Sequence, residues 1–391
     1  MENVLIINKR EYKLEKVWRK KKTDYTRDSK GNLFPFPVSS LPINNWADKF
    51  TFIERLSTLN QCLDIKNNFE SYETPINCLL CDKKNITTKK YIYDKVIWED
   101  GLVHYMDVHN IEPSVEFKQK IYQNDTFRQI ASDSQMERSE KTKMILKKVR
   151  EQNNDYVMMD KNQILILDAL MIHGGYKKRY TDKLSEAVRY SEHAGLLDFD
   201  ENVLSKIVVS GTTTRVDAGD DEIYLPVDLN DLYEYEYIFH THPPTPKPGG
   251  RARDGVLYEL PSIGDIYHFI DHHNEGNVIG SLVVTAEGLY NIRKHNVDVS
   301  DIDVDDDKLY TSYYRKFKKI QKDSITKYGT RFSTERFYSK IAQDISYIGA
   351  MNRTLNKFNI QIDFYPRKKD NVGEWIIDTV FLVFRHNKIT K

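Results

Sequence analysis

Hydrophobic and polar positions follow two different periods along the chain. Between Trp46 and Leu63, apolar residues recur with helical spacing after a proline-rich extended segment, which predicts a helix. After residue 156 the pattern changes to short apolar runs separated by polar turns, and QILIL (163–167) and SEHAGLLDF (191–199) predict strands. Because helix-like spacing lies between these runs, this part of the chain predicts a mixed α/β fold.

The run YEYEYIF is a third predicted strand, and it ends in the sequence His240-Thr241-His242-Pro243. Strand residues two positions apart point to the same face, so both imidazoles can reach one point. Pro243 has no N–H for a strand ladder and therefore ends the strand. After a loop, Ser262 opens a helix-like apolar run, with Asp265 in the first turn.

Each half of this pattern also has an ordinary interpretation. A His-x-His pair in a strand is most often a packing or surface feature, and Ser-x-x-Asp before an apolar run is usually a capping box. Their joint occurrence in this order favours a metal site formed by His240, His242 and Asp265. Three protein ligands leave one position open for water, which is the arrangement of a catalytic zinc.

Composition limits the function classes. The chain has 391 residues, enough for two or three domains, with 40% hydrophobic and 30% charged residues. Lys plus Arg and Asp plus Glu number 58 each, so no net field attracts the chain to nucleic acid or to a membrane. No signal-peptide pattern begins the chain, and no apolar run approaches the roughly 18 residues of a membrane helix. Three cysteines are too few for a disulfide framework, which favours a reducing intracellular compartment such as the cytoplasm.

The cysteines point to a second metal site. Cys78 and Cys81 form a C-x-x-C pair, and His104 and His109 follow with four residues between them. This is the ligand pattern of a closed, structural zinc, although two buried thiols and two ordinary histidines would give the same sequence. Cys62 is interpreted as a small core residue.

The pattern divides the chain into six segments. These are an N-terminal arm and helix (1–73), a zinc-binding module (74–122), a charged connecting helix (123–155), the domain with the His-x-His-Pro motif (156–297), an acidic linker (298–307) and a C-terminal α+β region (308–391). The C-terminal region carries no recognisable chemistry, so scaffolding or partner contact is its expected role.

A three-ligand zinc that activates water needs a carboxylate base nearby. Glu192 is the candidate, because it stands at the start of an apolar strand in which Gly195 marks a close backbone approach. The ordinary interpretation of Glu192 is a surface charge at a strand end.

Glu192 ahead of AGLL, then His240-x-His242-Pro243 and then Ser262-x-x-Asp265 together resemble the JAMM (MPN+, JAB) metalloprotease family over about residues 160–295. The resemblance implies the family's cytidine-deaminase-like sheet with helices on both sides. It also implies that His240, His242 and Asp265 bind zinc. Glu192 would be the general acid and base, and Ser262 would help to hold the oxyanion.

The loop between the two halves of the motif, residues 244–261, is longer than the usual loop of that family. It carries Arg251 and Arg253 beside Gly249-Gly250. A loop tethered to the metal site at both ends is expected either to cover the cleft as a lid or substrate clamp, or to be a disordered surface insertion.

The function expected from the sequence is a zinc metallopeptidase, with one catalytic and one structural Zn²⁺. The resemblance implies a protein or peptide substrate, either an isopeptide bond of a ubiquitin-like conjugate or a linear peptide. The alternative is a structural or scaffold protein that carries a JAB/MPN module for assembly without turnover. Membrane and nucleic-acid partners are not expected, since the charge balance provides no basic face.

Overall fold

The fold is described from a computed structural model. It describes residues 3–39, 46, 48–123, 143–145, 155–174, 190–215, 223–226, 235–245, 247–276, 278–296 and 300–384. The chain divides into two units, Met1–Asp155 and Tyr156–Lys391. The charged connecting helix predicted at 123–155 falls almost entirely outside the described residues. No helix among these residues combines the length and the apolar character needed to cross a bilayer.

The first unit is built on a five-stranded sheet with the order β1-β2-β5-β4-β3. Its strands are β1 (Val4–Ile7), β2 (Arg10–Leu14), β3 (Phe69–Ile76), β4 (Thr87–Tyr93) and β5 (Val96–Glu99). β2 and β5 are parallel, and the other pairs are antiparallel. The predicted border between 1–73 and 74–122 is therefore wrong, because it cuts through β3, and strands from both sides of it hydrogen-bond in one sheet.

The described part of this unit also contains the helices α1 (Lys49–Ile65), α2 (Leu102–His109) and α3 (Val115–Tyr122). α1 is the helix that the apolar spacing predicts, and it buries Phe52, Leu56 and Leu59. Phe52 and Trp98 of β5 both meet Phe117 of α3, with ring centroids 6.0 and 5.3 Å apart. The aromatic contacts thus join helices and sheet in one core.

The second unit is organised around an eight-stranded mixed sheet with the order β14-β13-β12-β11-β8-β9-β6-β17. Its strands are β6 (Asp155–Met159), β8 (Ala194–Asp200), β9 (Val203–Val209), β11 (Tyr237–Thr241), β12 (Gly280–Val284), β13 (Gly288–Lys294), β14 (Ile360–Pro366) and β17 (Val380–Phe384). Two short ribbons accompany it: β7 (Ser191–Glu192) with β10 (Thr214–Arg215), and β15 (Lys368–Lys369) with β16 (Trp375–Ile376). The pairs β11–β12 and β6–β9 are parallel.

Helices lie on both faces of this sheet, which makes the unit α/β. They are α4 (Lys161–Gly174), α5 (Ile263–Glu275), α6 (Asp306–Tyr328) and α7 (Ser346–Leu355), with shorter turns of helix at Gly250–Asp254, Thr334–Arg336, Phe337–Ile341 and Asn356–Phe358. Tyr237 and Phe239 of β11 pack in the core on the α4 face, whereas Ile238 packs in the core that contains α5, α6 and α7. Strand alternation therefore assigns His240, two positions after Ile238, to the α5 face.

The strand predicted for QILIL (163–167) is wrong, because these residues form the first half of α4. Ile164 and Leu167 are buried, while Leu165 and Ile166 are 55% and 51% exposed. That is a helical burial pattern, and a short apolar run does not by its composition distinguish a helix from a strand. The strand at this place is β6, immediately before it.

The C-terminal region predicted at 308–391 is not separate from the domain at 156–297. β14 pairs with β13 from Gly288–Pro366 to Lys294–Ile360, and β17 forms the opposite edge of the sheet. The acidic linker predicted at 298–307 is also wrong for its described part. Ile302 is buried, and its N–H donates to Asn274 Oδ1 on α5 at 2.8 Å. Apolar residues in these segments complete the core around α5, so the segments cannot be peripheral.

A buried ion pair connects α4 with the C-terminal end of β14. Arg367 donates to both carboxylate oxygens of Asp168, at 2.7 and 2.5 Å, and the two side chains are 3% and 7% exposed. Other guanidinium N–H groups donate to the carbonyls of Thr285 and Ala286 in the β12–β13 turn, and one donates to Trp375 O. One side chain therefore joins a helix and two strand ends.

We expect Asp168→Asn to destabilise the second unit by about 3 kcal/mol or more, because it leaves a buried guanidinium without its counter-charge. Urea unfolding followed by circular dichroism measures this effect. Asp323→Asn is the control, since the Lys319–Asp323 pair is 67% and 60% exposed and should contribute little. Equal midpoints for both variants would contradict the structural role of the pair.

Candidate metal centre

The two histidines of the motif lie at the end of β11. His240 is the fourth residue of the strand, opposite Ala194 of β8 and Val283 of β12. His242 follows the last strand residue, but its N–H still donates to Val284 O at 2.9 Å, so the ladder to β12 continues through it. Both imidazoles therefore emerge on one face, as strand alternation requires.

Asp265 is held by the first turn of α5. Ser262 is the N-cap, its Oγ accepts from Asp265 N at 3.1 Å, and Asp265 Oδ2 accepts from Ser262 N at 2.5 Å. The motif is thus a capping box. The same carboxylate also faces the two imidazoles, so the capping interpretation and the metal-site interpretation describe one arrangement.

The three side chains converge on a common point. His240 Nε2 lies 3.2 Å from His242 Nε2 and 3.1 Å from Asp265 Oδ1, while His242 Nε2 lies 3.4 Å from Asp265 Oδ2. One donor atom from each residue lies within 4.8 Å of the others, so the group could hold a metal ion.

The chemistry of the donor set fits a cation. His242 Nδ1 lies 3.4 Å from Glu259 O, and donation there leaves the Nε2 lone pair directed at the group. Burial opposes charge on His242, yet the carboxylates of Glu192 and Asp265 raise its pKa to about 10. Burial would raise the pKa of Asp265, but His240 and His242 hold it well below its usual range. The carboxylates of Glu192 and Asp265 therefore favour a positive charge at this point.

Glu192 stands beside the metal group in the short ribbon of β7 and β10, where it pairs with Thr214. Burial raises the pKa of its carboxyl group, and the charges of His242 and His240 oppose this rise. The backbone next to Glu192 is held by the fully buried Thr241, because Thr241 Oγ1 accepts a hydrogen bond from His193 N at 3.0 Å. Thr241 is a positioning residue that the sequence patterns did not single out.

Gly195 is a close backbone approach in this region, as its place in the sequence suggests. A Cβ there would lie 2.0 Å from Val208 O and 2.5 Å from Phe239. β8 can therefore pack against β9 and β11 only with glycine at this position.

A cavity of about 570 Å³ opens onto the metal group. Glu192, His242, Ser262 and Asp265 all line it, and the Ser262 side chain is exposed. Because the Ser262 hydroxyl accepts from Asp265 N, its own O–H remains able to donate into the cavity. The cavity therefore brings the Glu192 carboxylate and the Ser262 hydroxyl donor next to side chains that could hold a metal ion.

The loop at 244–261 is fixed to the second unit in its described part, which excludes a disordered insertion there. Leu257 N and Tyr258 N both donate to Gln321 Oε1 on α6, at 2.7 and 3.2 Å. Tyr258 stacks on Tyr347, with ring centroids 4.1 Å apart. Gly249 has φ +63°, and a Cβ there would lie 2.7 Å from Phe332, so the loop packs closely against its surroundings at this glycine.

The two arginines of the loop have different environments. Arg251 lines the cavity and pairs through its guanidinium with Glu259, with Nε 3.1 Å from Oε1. Arg253 is exposed and does not belong to the cavity wall. The helical turn Gly250–Asp254 carries both arginines and directs their side chains differently, so a part in substrate binding stays a prediction for each of them.

The second set of possible metal ligands lies in the first unit. Cys78 Sγ is 3.2 Å from His109 Nε2, and Cys81 Sγ is 3.4 Å from His104 Nε2. All four donor atoms lie within 4.8 Å of one another. Burial lowers the pKa of both histidines, which favours neutral imidazoles with a free lone pair. Cys62 is buried in α1, apart from this group.

Comparison with known proteins gives one informative relationship. The chain is 30% identical over 340 residues to the uncharacterized protein R413 of Acanthamoeba polyphaga mimivirus, and the match spans 85% of this chain and 93% of that protein. The chain matches no protein-family model and no solved structure.

Near the centre, the fully buried Glu287 in the β12–β13 turn is a further acidic group that the sequence did not single out. Its Oε1 accepts from Tyr290 Oη at 3.0 Å, and Tyr290 Oη meets Tyr347 Oη at 2.9 Å. Burial, followed by the charge of Glu259, raises its pKa to about 7. Glu287 is therefore protonated in the folded protein under mildly acidic conditions.

We expect this group to make the protein less stable as the pH rises from about 4.5 to about 7. In that window the Glu287 carboxyl group has released its proton in the unfolded chain but still binds it in the folded chain. The free energy of unfolding therefore falls as the pH rises, by on the order of 3 kcal/mol in total. Glu287→Gln should remove this loss, and urea unfolding at pH 5 and pH 8 in EDTA measures it. A difference between wild type and variant that is the same at both pH values would contradict the assignment.

Proposed function

We infer the function of this chain from its centre, since it belongs to the same family as the uncharacterized mimivirus protein R413. We assign it as a zinc metallopeptidase that hydrolyses amide bonds of polypeptides. The observation that carries the proposal is the convergence of His240, His242 and Asp265 beside a cavity that His242, Asp265 and Glu192 line.

Zinc is the proposed metal because of the donor set. Two imidazole nitrogens and one carboxylate are a typical ligand set of catalytic zinc, and three protein ligands leave a position for water. The order Glu192, His-x-His-Pro, Ser-x-x-Asp resembles the JAMM family, and we propose that the mixed sheet with helices on both faces is a JAB/MPN fold.

Bound zinc would polarise the scissile carbonyl and lower the pKa of its water towards about 7. Glu192 would accept the proton of that water and return it to the leaving amine, a role suited to a carboxyl group whose pKa is raised by burial. The Ser262 hydroxyl would donate a hydrogen bond to the carbonyl oxygen as negative charge develops on it. The carbonyl of Glu259 would hold His242 in the tautomer that binds the metal.

The substrate is proposed to be a polypeptide, and the JAMM resemblance favours the isopeptide bonds of ubiquitin-like conjugates among the bonds of this class. A scaffold without turnover would need the three ligands but not Glu192. Burying the Glu192 carboxylate beside Asp265 and Glu259 lowers the stability of the fold. A role of Glu192 in catalysis would account for a carboxylate at this position.

We propose that the group of Cys78, Cys81, His104 and His109 binds a second zinc ion, with a structural role. Four ligands close the coordination sphere and leave no position for a substrate. Its ligands come from the turn after β3 and from α2, so the ion would join a sheet and a helix.

Glu192→Gln tests the proposed chemistry. We expect it to lower the rate of cleavage by about 10²- to 10⁴-fold while the zinc content stays unchanged, because the amide cannot take the proton. Cleavage of ubiquitin dimers linked by isopeptide bonds, and of a proteome-derived peptide library, measures the effect. Glu201→Gln, in the exposed turn between β8 and β9, is the matched control. Full activity of Glu192→Gln would sink the mechanism.

Metal content tests both groups. We expect about two zinc ions per chain by elemental mass spectrometry of protein purified without chelator, one from each ligand set. Cys78→Ser with Cys81→Ser should remove one ion and lower the thermal stability of the first unit. His240→Ala with Asp265→Ala should remove the other. A zinc content that is unchanged in either double variant refutes the corresponding site.

A further inference from the structure

The cavity at the metal group is larger than the proposed chemistry needs. Its volume is about 570 Å³, within the range of about 300–1,000 Å³ that is usual for ligand pockets. The lining contains polar residues, among them those of the metal group, and also an apolar part that forms a wall. This wall comprises Ile223, Val256, Ile263, Tyr267, Tyr310 and Phe317.

The apolar wall starts at the metal group and continues onto α6. Ile263 follows Ser262 in the chain, and Tyr267 lies one turn further along α5. Tyr267 Oη donates to Asp306 O at 2.9 Å, which ties α5 to the first turn of α6. Tyr310 and Phe317, seven positions apart on α6, share one helical face. The wall is therefore a continuation of the cleft, with four of its six residues on the two helices.

The wall exposes apolar surface. Tyr310 is 49% exposed, and Phe317 is only partly buried although it packs against the main core. Exposed apolar surface costs about 25 cal/mol for each Å², and an apolar patch that continues a cleft typically marks a ligand site.

The chemistry of the wall selects its occupant. None of the six residues carries a charge, and Arg251, a cation in the same cavity, is paired with Glu259. A charged side chain placed against this wall would lose its hydration without a partner, and glycine would leave the wall uncovered. A large aliphatic or aromatic side chain fits both conditions.

We propose that this wall binds a bulky apolar side chain of the substrate polypeptide, close to the bond that is cleaved, and that Tyr310 and Phe317 determine this specificity. The proposal rests on the proposed peptidase function. It assigns α6, which lies outside the JAMM-like stretch of the sequence, a direct part in substrate choice.

The test has a cleavage arm and a binding arm. In the cleavage arm, zinc-loaded wild type, Tyr310→Ala and Phe317→Ala act on a proteome-derived peptide library, and mass spectrometry reads the cleaved sites. We expect wild type to favour Leu, Met or Phe over Asp, Glu and Gly at one position near the bond. Both variants should lose this preference, with kcat/KM for a preferred peptide at least about tenfold lower, mainly through KM.

Tyr314→Ala is the matched control. Tyr314 is 47% exposed and stacks on Tyr310 with ring centroids 5.8 Å apart, but it does not line the cavity. It should keep the wild-type preference. Circular dichroism verifies that each variant folds, and the half-exposed Tyr310 provides a test even if Phe317→Ala is unstable.

The binding arm separates this proposal from the peptidase function. Immobilised Glu192→Gln protein selects peptides from the same library without turnover, and the combined substitution with Tyr310→Ala is compared. Enrichment of apolar residues that Tyr310→Ala abolishes supports the wall even if wild type cleaves nothing, in which case only the peptidase function fails. Cleavage or binding without apolar preference, or a preference unchanged in both variants, overturns the proposal.

Discussion

The hydrogen-bond ladder of β11 is the constraint on which the centre depends. β11 is paired on both sides, antiparallel to β8 and parallel to β12. The parallel partner extends the ladder to His242, whose N–H reaches Val284 O after the strand itself has ended. On the other side, Thr241 holds the backbone of His193 and with it the position of Glu192. One strand end thus determines where both imidazoles and the carboxylate lie.

The capping box of α5 provides hydrogen bonds for the buried Asp265 at the same point. A buried carboxylate needs several partners to offset the loss of its hydration. Asp265 has the Ser262 N–H as well as the two imidazoles, and its own N–H is accepted by Ser262 Oγ. The helix start therefore fixes the rotamer of Asp265 before any metal binds, which is how preorganised ligands raise affinity. Electrostatics complete the arrangement, since Glu192 and Asp265 together favour a cation between the histidines.

Short sequence patterns predicted the convergence of His240, His242 and Asp265 better than they predicted the fold around these residues. His-x-His and Ser-x-x-Asp have a fixed local geometry, on a strand and at a helix start, so their spacing carries the information about where the side chains point. QILIL has no such signature, and its burial as α4 depends on which of its faces meets β11. The contribution of Ile360–Pro366 to the sheet could not be predicted either, because its pairing with β13 spans about seventy positions of sequence.

The integration of the C-terminal segment changes what the long loop at 244–261 does. A loop of this length would be free if nothing followed the sheet, but Gln321 of α6 binds both Leu257 N and Tyr258 N. Gln321 lies one turn beyond Phe317 on the same helix, so the residue that anchors the loop and the residue that lines the cavity are positioned together. The described part of the loop and α6 are therefore held together beside the cavity. If the proposed function holds, a substrate chain that reaches the metal would have to fit a surface whose shape is set by residues far from the motif in sequence. The residues proposed for the chemistry and those proposed for its selectivity would then come from different parts of the chain.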